Sequence, residues 1–159
     1  MEFWKLFKTK HCTTKLLAPT KDGVLAEITD LLVDGGGLDP SLRAETLKAL
    51  LEREKLGSTG VGSHVAVPHV KVRGLDRAVC SLAIHPDGLA WAAVDSLPVH
   101  VVFTVLRPEK GGDAHDPERH LDMMRWIARL SRDADFRRFA IRVKTKTELT
   151  DLLKEKSAV

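Results

Sequence analysis

The sequence predicts an α/β protein, a single-domain layered sandwich in which helices flank a mixed β-sheet. Three observations lead there. Segments with apolar residues at helical spacing are interspersed with short runs rich in β-branched residues. The best strand candidates are apolar on both faces, so the sheet needs cover on both sides. No repeat or low-complexity linker divides the chain, so helices and strands belong to one layered structure. The domain is expected to span 1–159, with a core over about 3–155. That length suits one domain, since domains cluster near about 100–150 residues.

The elements follow in order. Met1 to Lys10 sets Phe3, Trp4 and Phe7 among lysines. It reads as a short first helix packed on the domain, because it lacks the continuous apolar core and small-residue cleavage site of a signal peptide. From Asp22 to Asp34, Val24, Leu25, Ile28, Leu31 and Leu32 recur at helical spacing, and Gly35 to Gly37 stop the run. Asp39 before Pro40 reads as an N-cap with proline at the first helical position. Ala44, Leu47, Leu50 and Leu51 then form one stripe of a second helix ending near Gly57.

Gly57 to His64, GSTGVGSH, reads as a loop, followed by a short run Val65 to Val67 that Pro68 interrupts. Strands are expected at Ala78 to His85 and Val99 to Leu106. In the second, Val99, Val101, Phe103 and Val105 share one face and Val102 and Leu106 the other. Pro108 to His115 is a polar loop, and Asp116-Pro117 starts a third helix whose apolar face holds Leu121, Met124, Ile127 and Ala128. His120 lies over the first turn of that face and should look inward. Asp133 caps a short helix with Phe136 and Phe139, and Thr145 with Glu148 forms a capping box before Leu149, Leu152 and Leu153.

Composition excludes several classes. The chain is 43% hydrophobic and 30% charged, a globular balance. The net charge of +3 comes from 25 basic and 22 acidic residues that alternate, without the block expected of a nucleic-acid surface. No nucleic-acid partner is therefore expected. No apolar run approaches the ~20 residues that cross a bilayer, so stable membrane insertion is not expected either. Cys12 and Cys80 lack disulfide or zinc-knuckle spacing, which fits a reducing, cytoplasmic setting.

The glycine-rich loop fails both nucleotide patterns. Gly57 and Gly62 have P-loop separation, but Ser63 and His64 stand where a lysine and a hydroxyl residue are needed. Gly60 and Gly62 begin a dinucleotide fingerprint, but Val65 takes the third glycine's place and the loop follows a helix. His64, His69, His115 and His120 have no metal-ligand spacing, so no metal is expected. Taken singly, each of these histidines is more often a surface or hydrogen-bonded core residue than a catalyst. Context decides between those readings.

That context is Leu51 to Val72, LEREKLGSTGVGSHVAVPHVKV. It resembles the enzyme IIA domains, type 2, of the fructose, mannitol and nitrogen-regulatory branch of the bacterial sugar phosphotransferase system. The family pattern runs from an Arg-Glu pair through Gly-Ser-Thr-Gly to Ile-Pro-His, whose histidine is phosphorylated. Here those places are held by Arg53-Glu54, Gly57 to Gly60 and Val67-Pro68-His69. Phe3 to Leu32, Ala93 to Pro108 and Phe136 to Leu153 also look like family segments, and the family's second histidine, which opens a helix, matches His120 in Arg119-His120-Leu121.

The resemblance implies a phosphocarrier. His69 would accept a phosphoryl group from an HPr-like donor and pass it to the cysteine of an enzyme IIB-like acceptor, or use it as a regulatory switch. Imidazole titrates near ~6.5, so it is largely an uncharged nucleophile at neutral pH. Arg53 would supply forked donors to the phosphoryl oxygens, and His120 a ring donor at a helix start. Ser58, Thr59, Gly60 and His64 are weaker phosphoryl-binding candidates, since Gly-Ser-Thr composition suits any tight loop. No cofactor is implied. The family has glycine at the place of His64 and a small residue at that of Val70, and both changes are expected to crowd the pocket. No acceptor domain or transporter segment lies within these 159 residues, so the acceptor should be a separate protein or be absent. The alternative is a non-catalytic regulatory binding module that has lost phosphotransfer.

Overall fold

A computed structural model describes residues 2–109 and 117–157. Five strands form one sheet, namely β1 (Gly60–Gly62), β2 (Val65–Ala66), β3 (His69–Val72), β4 (Val79–Leu89) and β5 (Val99–Pro108). The long strand β5 organises it. On one side β5 pairs in parallel with β2, Val65 opposite Val101, and then with β3, His69 opposite Val105. On its other side it pairs antiparallel with β4, and β1 forms a hairpin with β2. The sheet is mixed, as expected.

The N-terminal segment runs along the outer edge of β4. Thr13 N donates to Leu82 O at 3.1 Å and Ile84 N to Thr13 O at 2.9 Å, while Leu16 N donates to Ile84 O at 2.8 Å. That edge is thereby protected from pairing with another chain.

Helices cover both faces. One face of the sheet packs Val101, Phe103 and Val105 against Met123, Trp126, Ile127, Phe136 and Leu149, which lie on α3 (Pro117–Arg132), α4 (Ala134–Arg142) and α5 (Lys146–Ser157). The other packs Val102 and Leu106 against Leu25, Ile28, Leu32 and Leu50 of α1 (Lys21–Asp34) and α2 (Arg43–Leu56). Valine alternation in β5 therefore serves two separate cores, which is why the strand is apolar on both faces.

Local chemistry sets the helix ends. Thr20 caps α1 by accepting from Gly23 N at 3.1 Å. Asp133 caps α4 by accepting from Phe136 N at 3.0 Å. Thr145 caps α5 by accepting from Glu148 N at 3.1 Å, but only half of the expected capping box forms, because Glu148 Oε1 accepts from the Thr145 hydroxyl at 3.1 Å and not from its backbone N–H. Asp39 is a cap as read, but of a single 3-10 turn, Pro40–Leu42, and α2 proper begins at Arg43.

Four readings are corrected. Met1 to Lys10 is not an α-helix: two 3-10 turns, Phe3–Leu6 and Thr9–His11, carry Phe3 and Phe7 into the core. The chain has to turn there to lay Thr13 beside β4. His69–Val72 is a strand although its HVKV pattern follows a proline, because β5 supplies the pairing. The strand read at Ala78 to His85 begins at Val79 and continues to Leu89. Val99 packs in the α1/α2 core with Val102, not with Val101, where the β4/β5 register jumps from Ile84–Val101 to Leu89–Val99. His115 and the Asp116 helix start lie outside the described residues.

Candidate functional site

Pro68 has no N–H to give to a ladder, and it stands in the break between β2 and β3 along β5. Val67 N donates to Thr59 O at 3.0 Å, and Pro68 O accepts from Val105 N at 2.9 Å. The Val67 carbonyl turns instead to His69, whose Nδ1 lies 2.8 Å from it. A carbonyl only accepts, so Nδ1 carries the ring proton and Nε2 of the neutral imidazole keeps its lone pair. The half-buried ring lines a cleft of about 320 Å³.

Arg53, Ser58 and Thr59 line the same cleft, so four residues named from the sequence meet there. Arg53, in the last turn of α2, donates from Nη1 to Gly57 O at 2.8 Å, which fixes its guanidinium against the loop. The far wall is α3, with Met124, Ile127, Ala128, Ser131 and Arg132. His120, half-buried on the first turn of α3, stands one turn before Met124 on that helical row. It is not among the described residues that line the cleft.

The loop is anchored from beneath by a network that sequence reading missed. Glu54 is buried and pairs with Lys21 Nζ at 3.0 Å. Its carboxylate accepts from Thr59 N at 3.3 Å and from Thr59 Oγ1, which in turn accepts from Trp91 Nε1 at 3.2 Å. Ser58 Oγ donates to Trp91 O at 3.1 Å and accepts from Gly60 N at 3.0 Å. Gly60 is obligatory for packing: a Cβ there would lie 2.7 Å from Ala93 Cβ. Ser58 and Thr59 thus hold the loop as well as border the cleft, and Gly60 is a close-approach residue rather than part of the lining.

His64 and Val70 do not crowd the pocket. Ser63 and His64, at φ +55° and +69°, form the two-residue turn between β1 and β2. Both positive φ values fit the hairpin turn whose twist matches the strands. The His64 ring bonds Pro98 O through Nδ1 at 2.8 Å and meets His100 edge-on at 5.5 Å, away from the cleft lining. Val70 packs against the α1/α2 core on the opposite face.

Two guanidiniums, Arg53 and Arg132, face the cleft and no carboxylate lines it among the described residues. Arg132 was not singled out in the sequence, although its spacing of eight from Met124 places it on the same face. The two thiols lie elsewhere. Both are buried, and burial pushes Cys12 up to about 11 and raises Cys80 further, so neither supplies a thiolate.

The cleft thus brings together an imidazole whose Nδ1 faces a carbonyl, a guanidinium and a hydroxyl-bearing loop, on a mixed sheet covered by helices. The chain belongs to the family described as "Phosphoenolpyruvate-dependent sugar phosphotransferase system, EIIA 2", whose model matches residues 5–156. A fructose-specific EIIA component of Haloferax volcanii is 32% identical over 136 residues, 86% of this chain and 84% of the relative. A nitrogen regulatory protein of Pseudomonas aeruginosa is 37% identical over 100 residues, 62% of this chain and 61% of the relative. The crystal structure of nitrogen regulatory protein IIA-Ntr from Neisseria meningitidis superposes with a TM-score of 0.82 at 25% identity, covering 95% of this chain and 98% of that one. The fold is that of type-2 EIIA proteins. Among the described residues no helix is long and apolar enough to cross a membrane.

Proposed function

We propose that the chain is a phosphocarrier whose nucleophile is Nε2 of His69. The single observation that carries this reading is the 2.8 Å contact from His69 Nδ1 to the Val67 carbonyl, at the mouth of a cleft shared with Arg53. It leaves the Nε2 lone pair for attack. As Nε2 bonds to phosphorus, the bond from phosphorus to the donor's imidazole nitrogen breaks. Positive charge that develops on the His69 ring is met by the Val67 carbonyl through Nδ1–H. Arg53 faces the charge on the phosphoryl oxygens, where forked guanidinium donors match in geometry. His120, one turn before Met124 on α3, is the candidate second donor to the phosphoryl group, on the strength of the sequence resemblance.

The donor is an HPr-like carrier and the acceptor an enzyme IIB-like cysteine or a regulatory target, in the cytoplasm. Support for an acceptor of that kind comes from a structural relative of 18% identity, the mannitol enzyme IIA of Escherichia coli, whose structure is a complex with phosphorylated enzyme IIB. The nitrogen regulatory relatives favour use of the phosphoryl group as a switch. Added negative charge beside Arg53 and Arg132 would alter what binds this face.

Incubation with phosphoenolpyruvate, enzyme I and an HPr-like protein should add one acid-labile phosphoryl group, and His69→Ala should abolish it. Unchanged labelling of that variant refutes the site. No labelling of the wild type favours the alternative, a binding module that has lost phosphotransfer.

A further inference from the structure

The charge of this chain is unevenly placed. Residues 117–142, spanning α3 and α4, hold seven arginines, no lysine and four carboxylates, so this stretch carries the chain's whole formal excess of +3. Three of those carboxylates are engaged by visible ion pairs: Asp122 with Arg125 at 3.2 Å, Asp133 with Lys156 at 3.1 Å and Asp135 with Arg138 at 2.7 Å. Among the described residues Arg129 and Arg132 form no ion pair, and both are exposed. They stand three residues apart on one helical face, and Arg132 opens into the cleft.

Beside these cations the cleft wall is apolar, with Met124 and Ile127 from α3 and Val61 and Val67 from the hairpin side. Val61 is 54% exposed at its rim. From this juxtaposition we infer that Arg129, Arg132 and the adjoining apolar wall form a docking surface for an acidic segment of a partner protein. Carboxylates of that segment take the two guanidiniums, whose planar forks bind carboxylate pairwise, and an aliphatic side chain enters the cleft. Charge complementarity selects the occupant. A lipid surface would need more apolar area to insert than α3 exposes, since Leu121 is its one large exposed apolar residue. A nucleic acid would need a longer run of phosphate contacts and a stacking platform, and Trp126, the one Phe, Tyr or Trp of α3, is buried.

This surface acts in the unphosphorylated chain, so its test is separate from the fate of His69. The probe is a glutamate-rich ten-residue peptide with one central leucine, titrated into the labelled chain and followed by backbone amide NMR in low and physiological salt. Shifts should concentrate at residues 125–132 and around Val61, and weaken with salt. Arg129→Glu with Arg132→Glu should weaken binding at least tenfold, whereas lysine at both positions should keep most of it. The lysine-rich counterpart peptide should not bind. The variants' amide spectra, matching wild type outside α3, establish that they fold. Absence of shifts at millimolar peptide, or affinity indifferent to charge reversal, overturns the inference. Tighter binding of a short DNA duplex at the same residues would overturn it too, by assigning the face to nucleic acid.

Discussion

At the scale of single residues, the proposed phosphoryl site rests on one carbonyl and one guanidinium. Arg53 is held by Gly57 O, so its remaining donors are preoriented toward the cleft it shares with His69. Arg53→Ala is expected to slow phosphorylation of His69 by about 10²–10³-fold, the usual cost of removing one preorganised donor. Arg53→Lys should recover little, because an ammonium cannot replace a fork. Quench-flow labelling with an HPr-like donor measures both. A second imidazole makes a pH prediction. His11 is buried beneath Gly35 and Gly37, where a Cβ on Gly37 would lie 2.5 Å from its Nε2. Burial, reinforced by Lys10, holds its pKa below the ordinary imidazole value. The unfolded chain therefore binds the proton first. The His11 contribution to stability is complete above the unfolded value of about 6.5 and is lost as pH falls from there toward the lower folded value. Thermal unfolding from pH 7.5 downward should show this loss, and His11→Gln should flatten that part of the profile.

At the scale of elements, the loop from Gly57 to Gly62 is positioned by what lies under it. Thr59→Val would strip Glu54 of a hydroxyl donor and leave Trp91 Nε1 without its acceptor, at a cost of about 1–3 kcal/mol in denaturant unfolding. A larger fall in phosphorylation rate than in stability would mark the loop as preorganised. The β1–β2 turn has a different balance. His64 at φ +69° carries left-handed strain of about 1–2 kcal/mol, while its ring bond to Pro98 O returns about 1 kcal/mol. His64→Gly should consequently shift stability by no more than about 1 kcal/mol, and it should leave phosphorylation of His69 unchanged, because the ring does not line the cleft.

At the scale of the molecule, β5 lies between two apolar layers, and Phe103 is the side chain on which one of them closes. It meets Phe7 edge-on at 5.9 Å and Phe136 stacked at 5.9 Å. Phe103→Ala should cost about 3–5 kcal/mol.

This two-sided burial was legible in the sequence because Val101 to Leu106 leaves no polar face. The helices were legible for a related reason: Thr145, Glu148 and Asp133 announce their caps, and Val24, Leu25, Ile28 and Leu32 announce their face. What stayed hidden was whatever depended on a distant partner. HVKV becomes a strand because β5 passes beside it, and the turns at Phe3–Leu6 and Thr9–His11 form because Thr13 must reach β4. In the site, Arg53, Ser58, Thr59 and His69 are near in sequence and were found together. Arg132 comes from a helix 79 positions after Arg53, and only the continuing row through Met124 pointed to it. Glu54 and Trp91 bear the loop through contacts that no spacing rule encodes.

Whether Nε2 of His69 accepts the phosphoryl group is read from nitrogen and phosphorus NMR of the chain labelled at its histidines. Before phosphorylation, His69 should show a protonated Nδ1 and a bare Nε2. Afterwards, phosphorus should couple to Nε2 of that ring alone. Phosphorus on Nδ1, or on any histidine other than His69, would contradict the proposal.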